Sequence, residues 1–222
     1  MELKVIAKIQ SDFPTKFGIP RQSGITENLI SRVVFEPEYR DDNAVKGLEE
    51  FSHIWLLWQF SGNLREGWSP TVRPPRLGGN TRVGVFATRS PFRPNEIGLS
   101  SVRLEKIEYT KEGPVLVVSG ADLMDGTPIF DIKPYLPFTD SHPDAKAGFA
   151  ENTAEYSLEV VFECDYPKNF PENKKEALKT VLSNDPRPSY KEDGDRVYGF
   201  GFAGFEVKFK VENGTLFVKE IM

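Results

Sequence analysis

The chain has 222 residues, 39% of them hydrophobic, and a formal net charge of −5, a length that buries a substantial core in one large domain or in one domain with an appendage. Its single cysteine excludes an internal disulfide framework and fits a reducing, cytoplasmic setting; two histidines beside it cannot assemble a His/Cys zinc site, and an oxygen-ligand site, though open, has no spacing to recommend it, so no metal is named. The longest apolar run, IWLLWQF at 54–60, is too short to span a membrane, and the start MELKVIAKIQ lacks the basic opening and cleavage site of a signal peptide.

In chain order, short runs rich in Val, Ile, Phe and Tyr between Gly, Pro or Asp turns predict strands at 2–9, 28–35, 53–60, 82–87, 101–109, 114–123 and 156–163. Trp55 and Trp58 stand three apart in the third of these, so they point to opposite faces and at most one faces outward. Helical pattern is sparse: NAVKGLEEF at 43–51, and ENKKEALKTVLSN at 172–184 between Pro171 and Pro186. Many strands with few interleaved helices predict a mainly β antiparallel barrel or sandwich rather than a doubly wound sheet. The proline-punctuated stretch CDYPKNFPENKK at 164–175 predicts a boundary, dividing the chain into 1–164 and an α+β appendage at 165–222. GFGFAG at 199–204 satisfies a dinucleotide-binding pattern, but two alternating strands around Asn213-Gly214 follow it, where the pattern needs a helix N-terminus; it reads as a tightly packed strand entry.

Charge is unevenly distributed. Between 65 and 103 stand Arg65, Arg73, Arg76, Arg82, Arg89, Arg93 and Arg103 with no lysine and only Glu66 and Glu96, so this window carries +5 and the remainder −10. An arginine-only window offers planar donor forks suited to phosphate or carboxylate. Its centre, VGVFATRSPFRPNEIGLS at 83–100, is one of four loop clusters in which proline stiffens and glycine permits close approach; the others are KFGIPRQSGI (16–25), TVRPPRLGGNTR (71–82) and GADLMDGTPIFDIKPYLPF (120–138).

Together PRQSG, GLEEFSHIWLLWQF, TVRPPRLGGNTRVGVFATRSPFRPNEIGLS, DLMDGTPIFDIKPYLPF and DPRPSY at 185–190 resemble the TrmO family (also called TsaA-like or YaeB-like) of tRNA adenine N6-methyltransferases, over nearly the whole chain. The resemblance implies a small single-sheet β-barrel that uses S-adenosyl-L-methionine to methylate N6 of threonylcarbamoyladenosine next to the anticodon of threonine tRNA. It also implies a homodimer with the cofactor near the subunit interface. Carried over residue by residue, the cofactor contacts are Pro20, Arg21, Gln22, Ser61, Gly62, Arg89, Leu99, Asp122, Leu123, Met124 and Asp125.

The ligand's chemistry assigns roles to these positions. Arg89 either pairs with the methionine carboxylate or orients a neighbouring phosphate, Asp122 or Asp125 accepts from ribose or ammonium, and Leu99 packs on the adenine ring. No catalytic base is named, because an exocyclic nitrogen can attack first and lose its proton later, with Asp131 or a backbone carbonyl helping. On the RNA side, Arg73, Arg76, Arg82 and Arg93 are the candidate phosphate contacts. Arg187 and Tyr190 in DPRPSY would clamp the anticodon loop from the appendage. A non-catalytic barrel that binds S-adenosylmethionine or RNA, or a methyltransferase with another acceptor, fits the same pattern.

Overall fold

Alternation of apolar and polar residues over His53–Gln59 produces a strand with Ile54, Leu56 and Trp58 buried between partly exposed neighbours, the period-2 signature of one inward and one outward face. The computed structural model describes residues 2–63, 67–74, 77, 81–153, 157–187 and 196–222. Among them, β1 (Ala7–Gln10), β2 (Ile30–Phe35), β3 (His53–Gln59), β6 (Ile97–Thr110), β7 (Gly113–Ser119) and β8 (Pro128–Pro134) close into a barrel in the order β1-β2-β7-β6-β3-β8. Every pairing in it is antiparallel. Ile9, Val33, Ile54, Leu56, Val102, Leu116, Val118 and Ile129 fill the interior. A two-stranded ribbon, β4 (Thr71–Val72) with β5 (Val83–Gly84), stands in the arginine-rich stretch between β3 and β6.

The second layer is a sheet ordered β10-β11-β12-β9, built from β9 (Glu159–Phe162), β10 (Tyr198–Phe202), β11 (Phe205–Glu212) and β12 (Thr215–Ile221). Helix α1 (Lys175–Ser183) covers it through Ala177, Leu178, Val181 and Leu182. GFGFAG forms β10 and its turn, paired to β11, as a strand entry should. The mainly β barrel with an α+β appendage is therefore the architecture.

Four local expectations differ. Residues 43–51 form two 3-10 turns, Asp42–Val45 and Leu48–Glu50, because Gly47 between them takes a left-handed φ of 85° that a continuous helix cannot hold. Residues 85–87 coil into a 3-10 turn after β5. The loop cluster at 120–138 contains a strand, β8, with prolines at its first and last positions. Strand 159–162, placed by the sequence in the barrel unit ending at 164, pairs in parallel with β12 in the C-terminal sheet.

The two layers share chain. Between β1 and β2 the backbone leaves the barrel, and Phe13 and Leu29 are buried in the C-terminal core with Phe17 and Ile19 packed beside them. Ala203 N–H donates to the Asp12 carbonyl at 2.9 Å, and Lys174 pairs with the Asp12 carboxylate. Among the described residues no helix is long and apolar enough to cross a membrane.

Candidate active site

Where this shared segment turns back, it meets the ends of β3 and β6 and the turn after β7 around a cavity of about 480 Å3, within the size range of small-molecule sites. Nine positions expected to contact the cofactor line it: Pro20, Arg21, Gln22, Ser61, Gly62, Arg89, Leu99, Asp122 and Met124. The other two do not. Leu123 is buried in the barrel core, and Asp125 lies on an exposed turn where its carboxylate accepts the Ser11 N–H at 2.9 Å. Alternation explains Leu123, since one residue in a run of neighbours must face inward. Asp131, a candidate proton acceptor, also lies away from the cavity: its oxygens are taken by the Ile132 N–H and by Lys133.

Trp58 and Gly98 also line this cavity. They sit directly opposite one another on β3 and β6, and the indole lies so close over Gly98 that a Cβ there would fall 2.3 Å from Trp58 Cε2. In that position Trp58 Nε1 donates to Ser100 Oγ at 2.9 Å, and Ser100 Oγ donates to Asp122 Oδ1 at 2.6 Å. Trp58 and Ser100 are buried, so both bonds are shielded from water, and the chain fixes the Asp122 carboxylate from behind. Burial is the largest influence on Asp122 and pushes its pKa upward; the Ser100 hydrogen bond and the nearby Arg89 charge oppose it. Sequence reasoning missed Ser100 because a serine in a strand carries no mark of what stands behind it.

Arg89 donates to Gln22 Oε1, linking two walls of the cavity. Arg93, half-buried, also lines it, with Nη1 donating to the Thr88 carbonyl at 2.8 Å and to the Ser90 carbonyl at 3.2 Å. Outside the cavity, Arg73 is exposed, and Arg82 is exposed with a hydrogen bond to Thr71 Oγ1. Arg65, Arg76 and Tyr190 lie outside the described residues.

Arg187 is not a surface cation. It is buried, and its guanidinium donates to both carboxylate oxygens of fully buried Asp185, at 2.8 and 2.7 Å. Its own carbonyl accepts from Arg21 Nη2 at 2.8 Å. A two-pronged buried pair is a structural contact rather than an exposed phosphate clamp, which argues against the expected direct contact of Arg187 with RNA.

The geometry defines a β-barrel with a polar-and-apolar cavity at the ends of β3 and β6 and arginines on its rim, and among the described residues no helix N-terminus of the dinucleotide-binding type lines that cavity. The chain belongs to the TrmO family: the family model for the tRNA-methyltransferase O N-terminal domain matches residues 8–141, and that for the TrmO C-terminal domain matches 154–222. It is 41% identical over 218 residues, 95% of this chain and 93% of the relative, to the tRNA (adenine(37)-N6)-methyltransferase of Escherichia coli K12. A relative from Pyrococcus abyssi, named a "probable S-adenosyl-L-methionine-binding protein", is 36% identical over 146 residues, 66% of this chain and 74% of its own. The crystal structure of TrmO from Pseudomonas aeruginosa matches with a TM-score of 0.78 at 31% identity, covering 100% of this chain and 98% of that one.

Proposed function

We propose that the protein is a cytoplasmic S-adenosylmethionine-dependent methyltransferase acting on N6 of an adenine in tRNA, the acceptor being threonylcarbamoyladenosine next to the anticodon of threonine tRNA. The observation that carries the reading is the cavity at the ends of β3 and β6, in which the expected loop residues bring guanidinium groups, a carboxylate and apolar side chains together. S-adenosylmethionine presents a carboxylate, an ammonium, ribose hydroxyls and an aromatic ring, and the residues present fit that set. Arg21 and Arg89 supply cations for the carboxylate, Asp122 an acceptor for ammonium or ribose, and Leu99 and Ile97 apolar surface for the ring. When bound, the cofactor supplies an electrophilic methyl group.

The chain's own contribution is then alignment. The relay from Trp58 through Ser100 holds Asp122 in one orientation, and pre-set orientation of donor and acceptor is worth several kcal/mol, on the order of ordinary proximity effects. The arginine rim, +5 within a chain of net charge −5, attracts the phosphates of an anticodon loop and draws the acceptor base to the cavity. Homodimerisation belongs to the same reading: Leu99 and Ile97 remain 54% and 38% exposed beside the cavity, and a second copy would cover them. Sedimentation at micromolar concentration reads this directly.

The deciding experiment is mass spectrometry of tRNA nucleosides after incubation with the protein and S-adenosylmethionine. A methyl group on N6 of the threonylcarbamoylated adenosine is expected. Cofactor binding by calorimetry with no methylated nucleoside would reduce the protein to a binding module.

A further inference from the structure

Two large aromatic side chains at one end of the β4–β5 ribbon are left in solvent. Trp68 is 50% exposed and Phe86 72% exposed, and their rings stack at 25° with centroids 6.2 Å apart. The ribbon brings them together: Thr71 pairs with Gly84, and Val85 N–H donates to the Pro70 carbonyl at 3.0 Å. Exposed aromatic surface of this kind marks a site of contact.

Its surroundings identify the partner's chemistry. The Arg93 guanidinium lies over the Phe86 ring at 6.0 Å while the same side chain lines the cavity, so the aromatic pair adjoins the cavity mouth. Arg73 and Arg82 are exposed at the other end of the ribbon, and Glu66 and Glu96 are the only acidic residues between 65 and 103, against seven arginines. An exposed ring pair with a guanidinium against one ring, in a stretch of net positive charge, suits a nucleotide whose base stacks and whose phosphate pairs.

We propose that Trp68 and Phe86 form a stacking platform for an unpaired RNA base, a neighbour of the base offered to the cavity, with Arg93 beside it and Arg73 and Arg82 at the far end of the ribbon for the backbone. The proposal rests on the tRNA reading for the identity of the strand and adds the element that grips it. Neither aromatic residue lines the cavity, so platform and cofactor site are separable by mutation.

The test is binding of a labelled anticodon stem-loop RNA to wild type, Trp68→Ala, Phe86→Ala and Trp68→Phe, read by fluorescence anisotropy across a salt series. Calorimetry with S-adenosylmethionine, sedimentation and thermal melting accompany it. Loss of one stacked base predicts RNA affinity lower by roughly tenfold to a hundredfold in each alanine variant. Trp68→Phe should retain most of the affinity, and the slope of log affinity against log salt should be unchanged because no phosphate contact is removed. Cofactor affinity and melting temperature should stay at wild-type values.

Wild-type RNA affinity in both alanine variants overturns the platform. So does a fall in affinity that carries a shallower salt slope or a parallel loss of cofactor binding, since the rings would then only prop the arginine loop. Conversion of a dimer to a monomer by Trp68→Ala also overturns it, by assigning the rings to a second copy of the chain. If wild-type protein binds S-adenosylmethionine but no RNA, the tRNA reading itself fails, and the platform with it.

Discussion

Substituting Gly98 by alanine perturbs the cavity from inside the barrel wall. The new Cβ would lie 2.3, 2.4 and 2.6 Å from Cε2, Cζ2 and Cδ2 of Trp58, where carbon pairs pack at about 3.5–4.0 Å, so the indole has to retreat by roughly 1 Å. Trp58 is only 8% exposed and packs edge-on to Phe60 at 4.4 Å, which leaves the ring little room. Overpacking costs about 1–3 kcal/mol and the displaced Trp58–Ser100 hydrogen bond about 1 more. Their sum, about 2–4 kcal/mol, lowers the melting temperature by about 4–16 °C in a domain of this size. Because Trp58 and Gly98 both line the cavity, S-adenosylmethionine should bind about tenfold more weakly, the equivalent of one hydrogen bond. Gly84→Ala is the control: an added Cβ there meets nothing within 4 Å, and its φ of −58° suits any residue. Differential scanning calorimetry and ligand titration of both variants decide the matter. A Gly98→Ala protein with wild-type melting and wild-type affinity would refute the packing argument and the relay built on it.

Three further outcomes are expected. Asp122→Asn should weaken S-adenosylmethionine binding in calorimetry while melting at or above the wild-type temperature at pH 7. Burial raises the Asp122 pKa, so the stability it contributes is complete below the ordinary carboxyl range and is lost as pH rises through the folded value; the difference between wild type and variant should therefore shrink as pH falls towards 4. Arg89→Ala removes a charged donor from the cavity wall and should weaken S-adenosylmethionine by about tenfold to a hundredfold, the loss usual for a hydrogen bond to a charged group; unchanged affinity would remove Arg89 from the site. Arg187→Ala strips Asp185 of its buried guanidinium and should cost about 3–5 kcal/mol of stability, seen in melting curves, with tRNA affinity falling only in proportion to the unfolded fraction; a stable variant with selectively weak RNA binding would restore a docking role.

The sequence is most legible where one face is buried and the other is not. The alternation over 53–59 and over 205–221 appears in space as read, with Trp58 turned in and Trp55 half out, its Nε1 donating to Asp140. It is less legible where tertiary pairing decides. Strand 128–134 is masked by its terminal prolines and by Asp131, yet β1 and β3 hold it from both sides. Strand 159–162 has no local mark of the layer it joins, because its partner β12 lies some fifty residues onward. Within the site, nine of the eleven residues carried by family resemblance gather at one cavity, but their supports do not announce themselves. Ser100 and Gly98 matter through what stands opposite them, and Arg187 is drawn inward by Asp185, whose φ of 52° folds the segment back on itself.

The family models part the chain between 141 and 154, a convenient joint for exchanging C-terminal regions between relatives. The hydrophobic contacts follow another boundary. Phe13 and Leu29 belong to the N-terminal match yet are 1% and 2% exposed within the C-terminal core, and Pro20, Arg21 and Gln22 between them line the cavity. A chimera joined at residue 150 would seat a resident phenylalanine against a foreign sheet, and any misfit would displace the three residues that form that wall of the cavity. The cut that looks neutral along the chain passes, in three dimensions, through the middle of a core.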